Sequence, residues 1–169
     1  MTRCILLLCL IAAATVGCIR LPEGLHVNVT ATGCTTSGTC PWADGKPHNW
    51  YDATTREIVV APGQSLKVWA HEACHAHQHQ VILDETGEEP RLVASAFNPA
   101  ASIADLHEWL ATAEGNAYAA VVVEQAGPNT WGAHYAPLLE DFAEACGRYM
   151  TGGDVDPTRA QFFDERGFK

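Results

Sequence analysis

A chain of 169 residues with 47% hydrophobic residues has the size and composition of one globular domain and is too short for two. Its 20 Asp and Glu against 10 Lys and Arg give a formal net charge of −10, with the acidic residues spread along the chain. This balance argues against nucleic acid or an anionic membrane surface as a partner, and we expect a monomer.

The N-terminal segment is typical of a secretory signal. Arg3 is followed by an uncharged, mostly apolar run at positions 5–16, which is too short to span a bilayer and ends in small residues. The sequence from Thr15 to Cys18 resembles a bacterial lipobox, although such boxes usually have Leu at the first place. We therefore expect an exported single domain over residues 19–169, with lipidation of Cys18, ordinary cleavage and a retained membrane anchor as alternatives.

The next stretch has the alternation and breaks of small β elements. Apolar residues alternate over positions 25–29, and positions 56–61 form the second predicted strand, with positions 32–51 as a loop between them. Within this loop, Cys34 and Cys40 bracket a short segment rich in Thr, Ser and Gly. We expect these two cysteines to form a local disulfide.

The following helix carries a metal-binding pattern. A Pro62-Gly63 break separates the second strand from a helical run that contains His71-Glu72-Ala73-Cys74-His75. Residues four apart on a helix lie on one face about 6 Å from each other, so both imidazoles can bind one ion. In this H-E-x-x-H pattern the histidines bind Zn²⁺, and the glutamate accepts a proton from the water on the metal.

This motif, with a strand leading into its helix, resembles the zincin metallopeptidases. The resemblance implies that His71 and His75 bind zinc and that Glu72 is the general base. In zincins the strand before the metal helix often lies at the edge of the cleft, where an extended peptide pairs with it. The candidate for that edge strand is the segment 56–61.

The residues just after the motif do not supply the third ligand. His79 lies two turns beyond the first histidine of the motif, about 12 Å along the axis, and His77 projects from another face. We expect both at the rim or the surface. The third histidine of the metzincins is replaced by Val81, so the third ligand must come from farther along the chain.

A long scaffold helix is the next predicted element. Positions 84–99 are polar and typical of a loop, and Ser102 to Asp105 form a capping box for a helix that ends near Gln125. An apolar stripe on this helix predicts packing against the metal helix. Glu114 lies on the same helix and is an alternative third ligand.

The main candidate for the third ligand lies on a later helix, at positions 138–149. Glu140 and Glu144 are one turn apart there, in a string E-x-F-A-E-A that is similar to that of lethal-factor-type zincins. In such gluzincins a glutamate on a separate helix completes the zinc site. The resemblance implies that Glu140 binds zinc and that Glu144 accepts a hydrogen bond from a zinc-bound imidazole, with His71 as the expected partner. The alternative is a charged helix face with Phe142 and Ala145 inward. Asp141 points elsewhere, and we expect it to be solvated.

The remaining cysteines lie on these two helices. Cys74 is inside the H-E-x-x-H motif, and Cys146 follows the second glutamate. If Cys34 pairs with Cys40, a bridge between Cys74 and Cys146 would tie together the two walls of the site. Two buried free thiols are the alternative.

Lethal-factor-type enzymes also carry a tyrosine shortly before the glutamate ligand, which can stabilise the oxyanion. Tyr135 lies in that neighbourhood, at a shorter spacing to Glu140 than the family has, and His134 lies beside it. Either side chain could donate a hydrogen bond to the tetrahedral intermediate, where such donors contribute ~3–4 kcal/mol.

Together these patterns predict an α+β fold, a minimal zincin with a small β-sheet, the H-E-x-x-H helix, a scaffold helix and a glutamate helix. Residues 151–169 are expected to form a turn and a short helix whose aromatic residues pack on the domain. The expected function is an exported zinc metallopeptidase that hydrolyses peptide or protein substrates. The alternatives are a zinc hydrolase of cell-wall or other non-protein amides, a non-catalytic zinc-binding module on a protease scaffold, and a disulfide-stabilised domain without metal.

Overall fold

The computed structural model describes residues 19–42, 44, 46–90, 106–123 and 137–168. These residues form a mixed α+β structure, which confirms the expected class. The strands are β1 (His26–Val29), β2 (Trp50–Asp52) and β3 (Glu57–Val60). The helices are α1 (Leu66–Thr86), α2 (Ala113–Val121), α3 (Pro137–Met150) and α4 (Pro157–Glu165), and residues 106–110 are also helical.

The sheet has the order β1-β3-β2, with β1 parallel and β2 antiparallel to β3. Both predicted strands are confirmed, and β2 adds a third within the segment predicted as loop. All four residues of β3 are buried. The prediction that segment 56–61 is an edge strand open to substrate is wrong, because both of its edges are already paired.

Helix α1 carries the H-E-x-x-H motif and packs against α3. It is capped at its C-terminal end by Gly87, whose φ of 74° is left-handed and whose N–H donates to the carbonyl of Leu83. Such a left-handed cap favours glycine, because other residues are strained there. A disulfide between Cys74 and Cys146 joins the two packed helices, and the predicted pairing is confirmed.

The second predicted disulfide is also confirmed. Cys34 and Cys40 are bonded, with their Cα atoms 4.5 Å apart. The bridge closes a loop beside the sheet, and Thr36 within it donates from its backbone N–H to Glu57 at the start of β3. The small disulfide loop is thereby attached to the central strand.

The predicted scaffold helix is not continuous. Residues 106–110 are helical, the chain turns at Ala111, and α2 begins anew after its N-cap Thr112. The hydroxyl of Thr112 accepts from the N–H of Gly115 at 2.9 Å and so stabilises a new helix start. The predicted capping box at Ser102 and the predicted end at Gln125 lie outside the described residues.

The C-terminal tail packs on the domain as predicted. Phe162, Phe163 and Phe168 are buried and join Phe142 of α3 in one aromatic cluster. Aromatic rings bury large apolar areas, so this cluster anchors α4 to the rest of the fold. Among the described parts of the chain, no helix combines the length and the apolar character needed to cross a membrane.

An ion pair within this region corrects another prediction. Asp141 was expected to be solvated, but it is 5% exposed. Both of its oxygens accept from the guanidinium of Arg159 at 2.8 Å, and the hydroxyl of Tyr118 donates to it as well. This network ties α2, α3 and α4 together, because each of the three residues comes from a different helix.

Candidate metal centre

Three side chains from two helices bring possible metal ligands together at the interface of α1 and α3. The Nε2 atoms of His71 and His75 lie 3.2 Å apart. Glu140 places Oε2 at 3.4 Å from the first of these nitrogens and Oε1 at 3.5 Å from the second. One turn of α1 presents the two rings, and α3 brings the carboxylate opposite them.

The separation of the two ring nitrogens is compatible with a tetrahedral metal site. Four ligands at zinc bond lengths of about 2.0–2.1 Å in a tetrahedron lie about 3.3 Å from one another. Charge-assisted hydrogen bonds between nitrogen and a carboxylate are shorter, about 2.7–2.9 Å. In the triangle formed by the side chains of His71, His75 and Glu140, the two ring nitrogens have about the separation of two tetrahedral ligands, and each has a different oxygen of Glu140 at 3.4 or 3.5 Å.

The electrostatics of the triangle favour a positive charge. Burial lowers the pKa of His71, but the neighbouring carboxylates of Glu140 and Glu144 outweigh burial and raise it to about 10. Burial raises the pKa of Glu140, while His75 and His71 together lower it well below its usual range. Glu140 is therefore a carboxylate at neutral pH, and the site attracts either a proton or a metal cation.

A second glutamate, Glu144, contacts His71 at the ring nitrogen that does not face the triangle. Oε2 of Glu144 lies 3.4 Å from Nδ1 of His71. The same carboxylate pairs with the Nζ of Lys67 at 2.5 Å and with the Nε of Arg148 at 2.8 Å. The contact with His71, helped by these two cations, holds the pKa of Glu144 far below its usual range. An anionic acceptor at Nδ1 directs the Nε2 lone pair of His71 into the triangle.

The second histidine has a different partner, which the sequence analysis did not identify. Nδ1 of His75 lies 2.8 Å from Oε1 of Gln78, and this glutamine is completely buried. Gln78 lies three residues after His75, so helical periodicity alone places it on the same face. This helical spacing was the signal available in the sequence, and no role was predicted for Gln78.

Glu72 is the buried carboxylate beside the triangle. It is 5% exposed, and it offers an oxygen within 4.8 Å of a ring nitrogen of His71 and of His75. Burial raises the pKa of Glu72, and the two histidines only partly oppose that shift. A carboxylate with a raised pKa is a stronger base, which is the property that proton abstraction from water requires.

Close packing fixes the two helices at this point. Gly147 of α3 approaches the backbone of α1 so closely that a Cβ there would lie 2.9 Å from the nitrogen of His71. The bridge between Cys74 and Cys146 connects the same two helices one turn away. The ligands are thus carried by elements whose separation is set by a backbone contact and a covalent bond.

Glu114, the alternative third ligand, contacts a histidine outside the triangle. Glu114 lies with Oε1 2.8 Å from Nε2 of His77, so its carboxylate is engaged away from the triangle. His77 is 2% exposed, and its Nδ1 accepts from the backbone N–H of Arg20. The prediction that His77 lies at the rim or surface is wrong, because this ring links α1 to α2 and to the segment before β1.

His79 is buried as well, which corrects the second surface prediction. Its Nδ1 lies 2.6 Å from the hydroxyl of Tyr51, and its Nε2 lies 3.0 Å from Oε2 of Glu89. Burial lowers the pKa of His79, so the neutral ring is favoured. The histidine therefore connects α1 to β2 and takes no part in the triangle.

The two candidates for oxyanion stabilisation, His134 and Tyr135, lie outside the described residues. Lys67 and Arg148 were also not identified from the sequence. Each lies four residues from a member of the centre, Lys67 before His71 and Arg148 after Glu144, and this spacing was the available signal.

Comparison of the chain with models of protein families, with curated proteins and with solved structures gives no match. The function of the centre is therefore inferred from its residues and their geometry.

Proposed function

We propose that this protein is an exported zinc-dependent metallopeptidase with a zincin-like fold, similar to the lethal-factor type. The observation that carries the proposal is the triangle of two imidazoles and one carboxylate, with contacts of 3.2, 3.4 and 3.5 Å between these groups and the buried Glu72 beside it. Two histidines and a glutamate match the donor set of a catalytic zinc site, and Glu72 would be the base beside them.

The donor set favours catalysis over a purely structural metal site. Structural zinc sites are closed by four protein ligands, most often cysteine and histidine, whereas catalytic sites use three and leave one position for water. The cysteine nearest the ligands, Cys74, is consumed in a disulfide. A buried glutamate next to the histidines has no purpose in a structural site, but it serves as a base in hydrolysis.

In the proposed reaction, His71, His75 and Glu140 would hold the zinc ion. Zinc, when bound, supplies a Lewis acid that lowers the pKa of a coordinated water to about 7. Glu72 accepts a proton from the attacking water and then delivers it to the nitrogen of the leaving amine. Glu144 keeps the ring of His71 oriented, and Tyr135 or His134 remains the proposed donor to the oxyanion.

The two disulfides are compatible with an exported protein, because such bonds persist in oxidising compartments. We propose a peptide or protein as substrate and a monomer as the active form. A lipid on Cys18 remains the proposed route of any membrane attachment.

The test is to measure the zinc content of residues 19–169 and then to incubate the protein with a mixed peptide library read by mass spectrometry. We expect one zinc ion per chain and cleavage that a chelator abolishes. Glu72→Gln should keep the zinc but lose activity by a factor of at least about 10², because the general base is removed. Glu88→Gln, which changes an exposed carboxylate, is the matched control.

Absence of zinc after metal loading of the folded protein would contradict the metal site. A zinc-loaded protein that leaves all peptides intact but hydrolyses non-protein amides would replace the peptidase proposal with an amide hydrolase. Full activity of Glu72→Gln would contradict the assigned base.

A further inference from the structure

We propose that Gln78 is a positioning residue of the metal centre, which sets the tautomer of His75 and ties it to the helix that carries Glu140. The predicted effect of Gln78 on zinc affinity rests on the function proposed above. The tautomer of His75 is a property of the folded chain and is measurable without metal.

The orientation of the Gln78 amide follows from its two contacts. Its Nε2 donates to the carbonyl oxygen of Leu139 at 3.3 Å, and its Oε1 lies 2.8 Å from Nδ1 of His75. A backbone carbonyl can only accept, so the NH₂ group must face Leu139 and the oxygen must face His75. The opposite orientation would place two acceptors against each other at a position without solvent.

This orientation determines the proton on His75. Because Oε1 of Gln78 only accepts, Nδ1 of His75 carries the hydrogen, and Nε2 of the neutral ring keeps its lone pair. That Nε2 atom is the one that lies 3.2 Å from Nε2 of His71 and 3.5 Å from Glu140. The glutamine therefore selects the tautomer that can bind a metal in the triangle.

The second contact links the two walls of the site. Leu139 immediately precedes Glu140 on α3, whereas Gln78 and His75 lie on α1. One amide group thus bonds to a ligand on one helix and to the backbone beside the ligand on the other. It does so without charge, in contrast to the carboxylate of Glu144 that faces His71.

Two substitutions separate the positioning role from a merely structural one. Gln78→Glu keeps an acceptor for His75 but cannot donate to Leu139, while Gln78→Met has a similar size and keeps neither bond. If Gln78 only ties the helices, both variants should be equally impaired. If it sets the tautomer, only Gln78→Met should change His75. Gln80→Met, at a half-buried position of the same helix where the amide bonds to Asp84, is the control.

The experiment records long-range ¹H–¹⁵N spectra of the imidazoles in the zinc-free protein at about pH 8. Zinc affinity is then measured by competition with a chelator. We expect the proton on Nδ1 of His75 in the wild type, in Gln78→Glu and in Gln80→Met, and a mixture of tautomers in Gln78→Met. Zinc affinity should fall about 10–100-fold in Gln78→Met, as is typical when a partner of a ligating imidazole is lost. Gln78→Glu should bind zinc more tightly than Gln78→Met.

A wild-type His75 with its proton on Nε2 would overturn the inference by itself, even if no variant folded. An unchanged tautomer and affinity in Gln78→Met would also overturn it, as would equal losses in Gln78→Met and Gln78→Glu. If the wild type binds no zinc, the proposed function fails, and the tautomer comparison still decides the role of Gln78.

Discussion

The contact between Gly147 and His71 makes a strong prediction about the metal centre. Replacing Gly147 with alanine adds a Cβ at 2.9 Å from the nitrogen of His71, 3.1 Å from its Cα and 3.3 Å from the carbonyl carbon of Ala70. All three are backbone atoms of α1 and cannot rotate away. The two helices must therefore separate by several tenths of an ångström, while the nearby disulfide restrains them.

Two opposing effects set the size of the change in the free energy of unfolding. Alanine is better than glycine inside a helix by about 1 kcal/mol, so propensity alone predicts stabilisation by Gly147→Ala. Overpacking a closely packed contact costs about 1–3 kcal/mol. Because the contact is with backbone, we take the upper part of that range and expect a net loss of about 1–2 kcal/mol in the free energy of unfolding.

The proposed zinc site should be affected as well. Movement of α3 away from α1 shifts Glu140 relative to His71, whereas metal–ligand distances tolerate only about 0.2 Å. We expect zinc affinity to fall at least about tenfold, from a loss of about 1.4 kcal/mol in binding. Urea unfolding followed by circular dichroism measures stability, and chelator competition measures affinity.

Gly153→Ala is the matched control. A Cβ at Gly153 would lie 3.4 Å from the carbonyl oxygen of Arg148, which is an ordinary contact. This variant should change stability by less than about 0.5 kcal/mol and leave zinc binding as it is. If Gly147→Ala proved as stable as the wild type and bound zinc equally well, close helix contact would not be what positions the ligands.

Three other predictions concern stability. Replacing Cys74 and Cys146 together with alanine should lower the free energy of unfolding by about 4 kcal/mol, because the bridge closes 72 residues. Asp141→Asn should lower it by about 3 kcal/mol in urea unfolding, since the buried Arg159 loses its bidentate carboxylate and keeps the ion pair with the part-exposed Asp156. Burial raises the pKa of Glu57, but hydrogen bonds from the neighbouring loop lower it overall. The Glu57 carboxylate should therefore contribute to the free energy of unfolding above about pH 4.3, and this contribution should be lost on acidification. Glu57→Gln should accordingly flatten the pH dependence of the unfolding midpoint between about pH 5 and pH 3.

Each of these has its own control or contradicting result. The shorter Cys34–Cys40 bridge, with a separation of 6 residues, should contribute only about 2 kcal/mol, and equal losses for the two bridges would refute the loop-length reasoning. Asp84→Asn removes one partner of an exposed pair and should cost less than about 1 kcal/mol. Parallel pH profiles for the wild type and Glu57→Gln would show that the Glu57 carboxylate is not linked to folding.

Features within a single helix or strand could be predicted from the sequence, because they depend on the spacing of residues along that element. The i, i+4 spacing places His71 beside His75, and the same spacing places Glu140 and Glu144 on one face of α3. Strands β1 and β3 followed from period-two alternation and flanking breaks. The pairing of Cys74 with Cys146 followed from counting the cysteines that remained after a local bridge.

Tertiary structure decided which neighbour each polar side chain meets. His77, His79 and Asp141 look like surface residues in a polar context, yet each is buried against a partner 10 to 37 residues away along the chain. Burial of a polar group is tolerated only when such partners satisfy its hydrogen bonds, and the partners come from other elements.

Strand order and helix continuity were likewise beyond the sequence. The sequence of residues 56–61 does not indicate that β2, three residues long, pairs with the second edge of β3. The break before α2 depends on competition between the Thr112 hydroxyl and the helix backbone, which only the packed structure decides. The sequence thus determined the residues of the candidate metal centre, because helical spacing is local. The structure decided how Gln78, Glu144 and Gly147 hold them, because those contacts exist only after the helices pack.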